Sequence, residues 1–210
     1  MLKILVADDH ALVRAGICKI LTHELGEVSL GEAGSCSEVL VLVRQRDWDL
    51  LLLDITLPGR SGMEVLGEVK TLRPSLPVLV VSMHSEEQFA IRALKAGAAG
   101  YVPKEKAPEE LVQAVKKALS GRLYVSEALA EKLAGERASG QSVLPHESLS
   151  NREFEVLMRL AAGRTVSDIA EELGISAKTV STYRARILEK LSLGSNAELA
   201  QYALRHGLIQ

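Results

Sequence analysis

Residues 49–62 read DLLLLDITLPGRSG, and four consecutive leucines, Leu50 to Leu53, lead directly into Asp54. An uninterrupted apolar run of this length is typical of a β-strand that is buried on both faces. A carboxylate at the end of such a strand needs an explanation, because apolar surroundings disfavour a charge. From this stretch alone, Asp54 either caps a turn or belongs to a functional site.

Strand-like runs alternate with amphipathic helical patterns over the first ~120 residues. The predicted strands cover 3–7, 28–32, 49–54, 77–82 and 99–102, and the predicted helices cover 12–25, 37–46, 63–72, 86–96 and 108–120. Five successive βα units predict an α/β fold with a doubly wound, five-stranded parallel sheet and helices on both faces. The flavodoxin-like strand order 2-1-3-4-5 is the arrangement we expect.

The composition limits the class of protein. The 210 residues are 47% hydrophobic and 25% charged, as in ordinary globular proteins, and the net charge of -2 excludes a globally basic nucleic-acid binder. No apolar run approaches the ~18 residues of a membrane span, and acidic residues come too early for a signal peptide. The two cysteines indicate neither a disulfide framework nor a zinc site, so we expect a cytoplasmic protein without a membrane partner.

The pattern changes after Ser120. One short helix at 128–133 is predicted before GERASGQSVLPHES at 135–148, whose Gly, Ser and Pro content is typical of a linker. No strand-like run follows, and four helices are predicted at 150–162, 166–173, 177–191 and 196–206. Ser-x-x-Glu capping boxes begin the first and the last at Ser150 and Ser195, a weaker box of Thr165 with Asp168 begins the second, and Ser176 caps the third. Gly163, Gly174 and Gly194 stand where helices would end. We expect a first domain at 1–121, a linker at 122–147 and a small all-α domain at 148–210.

Several predicted strands bring polar side chains to one edge of the sheet. Strand one ends in Asp8 and Asp9, strand three ends in Asp54, and in the order 2-1-3-4-5 these ends flank the crevice where ligands bind. Carboxylates this close repel each other unless a cation compensates, and a few oxygen ligands completed by water suit Mg²⁺. Ser82 and Lys104 reach the same edge and would bind phosphoryl oxygens. Taken singly, Ser82 could cap a helix and Lys104 could be a solvated loop residue, but together the five groups favour a site.

The motif residues of this edge are Asp8, Asp9, Asp54 with LPGRSG behind it, Ser82, Tyr101 and Lys104. With them, residues 1–120 resemble the receiver domain of a bacterial two-component response regulator. The resemblance implies that Asp54 accepts a phosphoryl group from a histidine kinase, and that the three aspartates and the backbone carbonyl of Thr56 hold Mg²⁺. It also implies that Lys104 pairs with the phosphate, that Ser82 hydrogen-bonds to it, and that Tyr101 turns inward after Ser82.

Two positions depart from the pattern of many receivers. Their lysine is followed by proline across a cis peptide bond, whereas here Pro103 precedes Lys104 and Glu105 follows it. A cis bond before Glu105 would cost ~3 kcal/mol, since it involves no proline. Met83 is bulkier than the small residue that often follows the Ser/Thr, and we expect it to alter access to the phosphoryl group.

The stretch TVSDIAEELGISAKTVSTYRARILEKL at 165–191 predicts a helix, a tight turn and a second helix. Gly174 permits the turn, Ser176 caps the second helix, and Val180, Ile187 and Leu191 form one buried stripe on it. This arrangement presents a helix to a DNA major groove. The second helix carries four basic residues against one acidic residue, although such a stripe also occurs on an ordinary solvated face.

Residues 149–209 closely resemble the four-helix DNA-binding domain of the NarL/FixJ, or LuxR-type, family. The resemblance implies that the helix at 177–191 binds double-stranded promoter DNA and that the phosphorylated protein forms a homodimer. The candidate DNA-contacting residues are Lys178, Thr179, Ser181, Thr182, Arg184 and Arg186. Family members often have Lys and His where Ser181 and Tyr183 stand, so the base preference does not carry over.

These observations predict a response regulator that is phosphorylated on Asp54 and regulates transcription. It would not be an enzyme, apart from its own phosphorylation and dephosphorylation at Asp54. One alternative is a Mg²⁺-dependent phosphatase or phosphotransferase, but such enzymes commonly have a second Asp two residues after the nucleophile, where this chain has Thr56. Another alternative is a phosphorylation-independent DNA binder with a vestigial receiver, which the complete set of carboxylates disfavours.

Overall fold

The computed structural model describes residues 1–57, 60–84, 86–127, 129–131 and 144–209. The chain divides into two compact units, Met1–Ser139 and Gly140–Gln210, and the predicted domain boundaries at 121 and 148 stay predictions. Pro58 and Gly59 of the LPGRSG motif, part of the predicted helix at 128–133 and the linker stretch up to residue 143 lie outside the described residues. Within the described ranges, no helix has the length and apolar character needed to cross a membrane.

The first unit contains the predicted parallel sheet. Its strands are β1 (Leu2–Ala7), β2 (Val28–Ala33), β3 (Leu50–Leu53), β4 (Val78–Ser82) and β5 (Gly100–Pro103). They are paired in parallel in the order 2-1-3-4-5, which confirms the predicted topology. All four residues of β3 are buried, as the leucine run predicts for a central strand covered on both faces.

Five helices cover the sheet, and their bounds lie within one residue of the predicted ones. They are α1 (Ala11–Leu25), α2 (Cys36–Gln45), α3 (Gly62–Leu72), α4 (Glu86–Lys95) and α5 (Ala107–Leu119). A 3₁₀ turn, Lys104–Lys106, connects β5 to α5. The described backbone contains no cis peptide bond, so the bond between Lys104 and Glu105 is trans.

The chain after α5 returns along the edge of the sheet. The N–H of Tyr124 donates to the carbonyl of Ala99 at 2.9 Å, and Tyr124 forms an isolated parallel bridge with Gly100. A Cβ at position 100 would collide with the carbonyl oxygen of Tyr124, so glycine permits this close approach. The segment that follows the first domain therefore begins beside β5.

The second unit consists of four helices, α6 (Asn151–Ala161), α7 (Val166–Leu173), α8 (Ala177–Leu191) and α9 (Asn196–Arg205), after a 3₁₀ turn at Pro145–Ser148. Ser150 and Thr165 form the predicted capping boxes, and Gly174 adopts the left-handed conformation between α7 and α8. The prediction for Gly194 is wrong. Ser192 takes the left-handed conformation instead, because the N–H of Leu193 already bonds to the carbonyl of Leu188 and closes α8.

Candidate functional site

Two buried carboxylates lie side by side where β1 and β3 end. The N–H of Asp54 donates to the carbonyl of Ala7 at 2.9 Å, and the N–H of Asp8 donates to the carbonyl of Ala33 at 3.1 Å. The strand pairing is thereby continued by one residue beyond each strand. Both side chains are about fully buried, with 1% of each residue exposed. The sheet therefore brings together two of the three aspartates that the sequence predicts at this edge.

Lys104 is placed between these carboxylates by the end of β5. Its ammonium nitrogen Nζ lies 2.6 Å from Oδ2 of Asp54 and 2.6 Å from Oδ2 of Asp8. Burial lowers the pKa of the Lys104 ammonium, but the two carboxylates outweigh burial and the pKa is raised. Lys104 therefore stays charged and is the cation already present at this edge.

One ammonium does not fully compensate the burial of Asp54. Burial raises the pKa of Asp54, and this exceeds the lowering by Lys104 and by the N–H of Thr56, which donates to Oδ1 at 2.8 Å. The neighbouring charge of Asp8 raises the pKa of Asp54 further. The site therefore holds more negative charge than Lys104 balances, and a second cation would lower the free energy of the ionised form.

The same edge offers ligands for a divalent cation. One possible ligand atom from each of Asp8, Asp9, His10 and Asp54 lies within 4.8 Å of the others. Oδ2 of Asp8 is buried, and its partner among the described residues is the Lys104 ammonium at 2.6 Å. This donor set fits a divalent cation. His10 is the member that sequence reasoning missed, and its place directly after the Asp8-Asp9 pair was the available signal.

Ser82 and Tyr101 are buried beside this edge and are connected through His84. The N–H of His84 donates to Oγ of Ser82 at 3.2 Å, and the hydroxyl of Tyr101 donates to the carbonyl of His84 at 2.7 Å. Burial raises the pKa of Tyr101, and the charge of Asp54 contributes to the increase. Tyr101 is thus fully buried, and its movement after Ser82 stays a prediction. Met83 is 73% exposed beside Ser82.

A second candidate site is the exposed face of α8. Val180, Ile187 and Leu191 are buried as predicted, which leaves the opposite face of α8 to solvent. A shallow groove of about 300 Å³ on that face is lined by Lys178, Thr179, Thr182, Tyr183 and Arg186. Ser181 is also exposed. The groove combines cationic, hydroxyl and aromatic groups, which suits contact with phosphates and base edges.

Two of the basic residues of α8 bind within the domain instead. Nε of Arg184 donates to Oδ1 of Asn196 at 2.6 Å, and the half-buried Arg184 thereby connects α8 to α9. Lys190 lies 2.7 Å from Oε2 of Glu153 on α6. The side chains of Lys178 and Arg186 make no hydrogen bond or ion pair with any described residue. The positive charge predicted for α8 is thus divided between internal pairs and the groove.

Comparisons with protein families agree with this division into two sites. Residues 4–116 match the family model described as response regulator receiver domain. Residues 147–203 match the model described as bacterial regulatory proteins, luxR family. The first match spans more than half of the chain and contains the carboxylates and Lys104, and the second contains α8. Each candidate site therefore lies within a recognised family region.

The chain is also similar to other proteins over nearly its whole length. The response regulator GacA of Pseudomonas aeruginosa is 40% identical over 210 residues, which is 100% of this chain and 98% of the relative. The response regulator UvrY of Escherichia coli is 34% identical over 99% of this chain and 96% of its own. A structure of RcsB from Salmonella enterica serovar Typhimurium, bound to a promoter in the presence of phosphomimetic BeF₃⁻, matches 96% of this chain and 98% of its own at 27% identity with a TM-score of 0.65.

Proposed function

The chain belongs to the NarL/FixJ-type response regulators, and from this premise we propose that a phosphoryl group on Asp54 controls DNA binding by α8. Proteins of this family are phosphorylation-dependent transcription regulators, and the chain is one of them. What we propose is the role of individual residues. The observation that carries it is the buried group of Asp8, Asp54 and Lys104, in which two carboxylates share one ammonium.

The covalent step is phosphoryl transfer to the Asp54 carboxylate. A carboxylate oxygen attacks the phosphorus atom, an acyl phosphate bond forms, and the bond from phosphorus to the donor breaks with its electron pair leaving on the donor. The donor is a histidine kinase or a small acyl phosphate. Lys104 neutralises charge on the transferred phosphoryl group, and the N–H of Thr56 holds one oxygen of Asp54 in place. Hydrolysis at Asp54 reverses the modification and is the only other reaction that we assign to the chain.

The acidic cluster is proposed as a Mg²⁺ site. Asp8, Asp9 and Asp54 would hold the ion, together with the backbone carbonyl of Thr56. When bound, Mg²⁺ supplies charge that lowers the energy of the ionised carboxylates and of the phosphoryl oxygens. The close approach of the ligand atoms of Asp8, Asp9 and Asp54, which lie within 4.8 Å of one another, supports this assignment.

The response to phosphorylation is proposed to begin at Ser82. A phosphoryl group adds negative charge that the Ser82 hydroxyl and the Lys104 ammonium bind, and Ser82 must reorient to reach it. Ser82 accepts the N–H of His84, and Tyr101 donates to the carbonyl of His84, so reorientation of Ser82 alters both contacts. Lys104 would then exchange part of its pairing with Asp8 for the phosphate.

The proposed partners follow from the two sites. A sensor histidine kinase supplies the phosphoryl group, and double-stranded promoter DNA binds the groove of α8, with Ser181 and Arg184 beside the groove residues as further contacts. We also propose that the phosphorylated protein is a homodimer, as RcsB structures contain dimers on DNA. Because promoter DNA is the target, the cytoplasm is the proposed location.

Mass spectrometry of the intact protein tests the phosphoacceptor. With acetyl phosphate and Mg²⁺, the wild-type protein should gain one phosphoryl group, and Asp54→Asn should gain none. Asp47→Asn is a matched control, because Asp47 is an exposed aspartate that pairs only with Arg73 among the described residues. Full labelling of Asp54→Asn would overturn the assignment, and loss of labelling in Asp47→Asn would show that the effect is not specific to Asp54.

A further inference from the structure

The chain that leaves the first domain is anchored at several points. Residues 122–127 and 129–131 are here called the linker start. The Tyr124 hydroxyl donates to Oε2 of Glu110 at 2.8 Å, and Nζ of Lys117 lies 5.3 Å from the centre of the Tyr124 ring. Together with the backbone bond to Ala99, these contacts hold the first half of the linker start against β5 and α5. These contacts fix the position of the chain up to Tyr124 relative to the sheet.

The next anchor comes from a different element, α4. The N–H of Ser126 donates to Oε1 of Glu86, the first residue of α4, at 3.3 Å. Ser126 in turn accepts the N–H of Leu129 on its hydroxyl oxygen at 3.1 Å and the N–H of Ala130 on its carbonyl at 3.0 Å. These two bonds have the spacing of a helix N-cap. Glu86 therefore binds the residue from which the next helical turn begins.

Glu86 is also adjacent to the residues that we expect to respond to phosphorylation. His84, two positions earlier, bonds to Ser82 and Tyr101, and its ring stacks on Phe89 of α4 with 4.4 Å between the ring centres. The charge of Glu86 contributes to the raised pKa of both Tyr101 and Tyr124, which places the carboxylate near both rings. The first turn of α4 is therefore in contact with Ser82 through His84 and with the linker start through Glu86.

We propose that Glu86 is a positioning residue that couples the Ser82, His84 and Tyr101 network to the linker start through its bond to the Ser126 N–H. The proposal rests on the proposed function, which supplies the phosphoryl group that reorients Ser82. When Ser82 turns toward that group, the bonds of His84 change, the first turn of α4 shifts, and the Glu86 carboxylate moves relative to Ser126. The helical turn that Ser126 caps is then released or reoriented, and the linker after it leads to the DNA-binding domain.

Hydrogen exchange of the full-length protein, read by mass spectrometry, tests the coupling. In the wild type, addition of Mg²⁺ and beryllofluoride should change exchange in the peptides that cover the linker start. In Glu86→Ala this change should be lost, and without beryllofluoride the Ser126 amide should exchange roughly threefold to tenfold faster than in the wild type, because its acceptor is gone. A purely structural role of Glu86 would raise exchange but would leave the response to beryllofluoride intact.

Two variants serve as controls. Glu86→Gln keeps a side-chain oxygen that accepts the Ser126 N–H, so it should retain the response. Glu127→Ala removes an exposed carboxylate one residue after Ser126 and should also retain it. An unchanged response in Glu86→Ala, or a loss in Glu86→Gln equal to that in Glu86→Ala, would overturn the hydrogen bond as the coupling element.

The same experiment separates this inference from the proposed function. Labelling of Asp54 by acetyl phosphate is measured on the same wild-type preparation. If the wild type is labelled at Asp54 but its linker start shows no response to beryllofluoride, the inference on Glu86 is wrong and the phosphoacceptor assignment stands. If the wild type is not labelled at Asp54, the proposed function is wrong and the coupling is refuted with it.

Discussion

Each domain contains a buried carboxylate that is paired with a lysine, and the two pairs differ in what surrounds them. In the first domain, Oδ2 of Asp54 lies 2.6 Å from Nζ of Lys104, and in the second, Oε2 of Glu153 lies 2.7 Å from Nζ of Lys190. Asp54 and Glu153 are 1% and 3% exposed. The two distances and the exposed fractions of the two acids are therefore similar, but the Lys104 side chain is 6% exposed and the Lys190 side chain is 40% exposed. The pKa of Asp54 is raised, whereas that of Glu153 is lowered.

Deeper burial of the Asp54 pair explains most of the difference, and the second anion beside Lys104 adds to it. Burial raises the pKa of Asp54 more than Lys104 lowers it, and Lys104 is shared with Asp8. Burial also raises the pKa of Glu153, but Lys190 and the N–H of Ser150, 2.7 Å away, outweigh it, so the pKa of Glu153 is lowered. One pair contributes to the stability of a capped helix. The other leaves excess negative charge where a metal ion and a phosphoryl group would be bound.

The largest difference should appear when each lysine is removed. Lys104→Met leaves two buried carboxylates without a cation, and we expect it to lower the free energy of unfolding of the first domain by about 3 kcal/mol in the presence of a chelator. Lys190→Met should cost about 1 kcal/mol or less, because Lys190 is 40% exposed and Glu153 keeps its capping bond. Urea unfolding followed by the fluorescence of Trp48, the single tryptophan, reports on the first domain, and circular dichroism follows the helices of the second.

Addition of Mg²⁺ provides the control for this comparison. If the acidic cluster binds the ion, Mg²⁺ should restore a part of the stability lost in the first domain of Lys104→Met and should leave the stability of the second domain of Lys190→Met unchanged. Equal losses in the two variants would show that the shared lysine does not distinguish the pairs.

Neutralising the acids should change stability in opposite directions at neutral pH. Asp54→Asn leaves one carboxylate for one ammonium, so we expect it to raise the free energy of unfolding of the first domain by about 1 kcal/mol without Mg²⁺. Glu153→Gln keeps the capping bond but loses the ion pair with Lys190, and should lower the stability of the second domain by about 1 kcal/mol. Circular dichroism during urea unfolding measures both, and a change of the same sign would contradict the account.

The pH dependence should separate the two acids further. Asp54 binds its proton more tightly in the native state, so its contribution to stability is full below about pH 4 and is lost as the pH rises through its raised native pKa. Glu153 binds its proton less tightly in the native state, so its contribution is full above about pH 4 and is lost as the pH falls through its lowered native pKa. The difference in unfolding free energy between the wild type and Asp54→Asn, and between the wild type and Glu153→Gln, is measured with chelator below and above about pH 4. The two differences should change with pH in opposite directions.

The smallest expected effects concern the basic residues of α8, where Arg184 is bound within the domain and Lys178 and Arg186 bind no described residue. Lys178→Ala and Arg186→Ala should each reduce the slope of log affinity against log salt concentration by ~1 if the residue contacts a phosphate. Arg184→Ala should weaken DNA binding with less change in slope, because Nε of Arg184 holds Asn196. Equal slopes in Lys178→Ala, Arg186→Ala and the wild type, with unchanged sequence preference, would exclude α8 as the DNA-binding helix.

The sequence was sufficient for the features that depend on periodicity and on strand ends. The leucine run before Asp54 predicted a central strand, and the polar residues after β1, β3 and β5 converge because parallel strands end at the same edge. The capping residues of the second domain were equally readable, since Ser150 and Thr165 act on amides three residues away.

The remaining features depend on which long-range partner a side chain meets. Glu153 reads as a capping residue, but its second partner Lys190 is 37 residues away. Likewise, the sequence predicts a DNA contact for Arg184, but in the fold Arg184 donates to Asn196. Glu86 has no predicted role in the sequence, and only the fold shows that it accepts the N–H of Ser126. Such pairings arise from tertiary packing, which no local pattern encodes.

The most direct test of the central claim is DNA affinity with and without a phosphodonor. A genomic fragment selected by the wild-type protein is titrated with wild type and with Asp54→Asn, each with Mg²⁺ and with or without acetyl phosphate, and binding is followed by fluorescence anisotropy. We predict that the donor tightens binding of the wild type by about fivefold or more and leaves Asp54→Asn unchanged. An equal increase for both proteins, or no increase for a wild-type protein that mass spectrometry shows to be phosphorylated, would contradict control of DNA binding by Asp54.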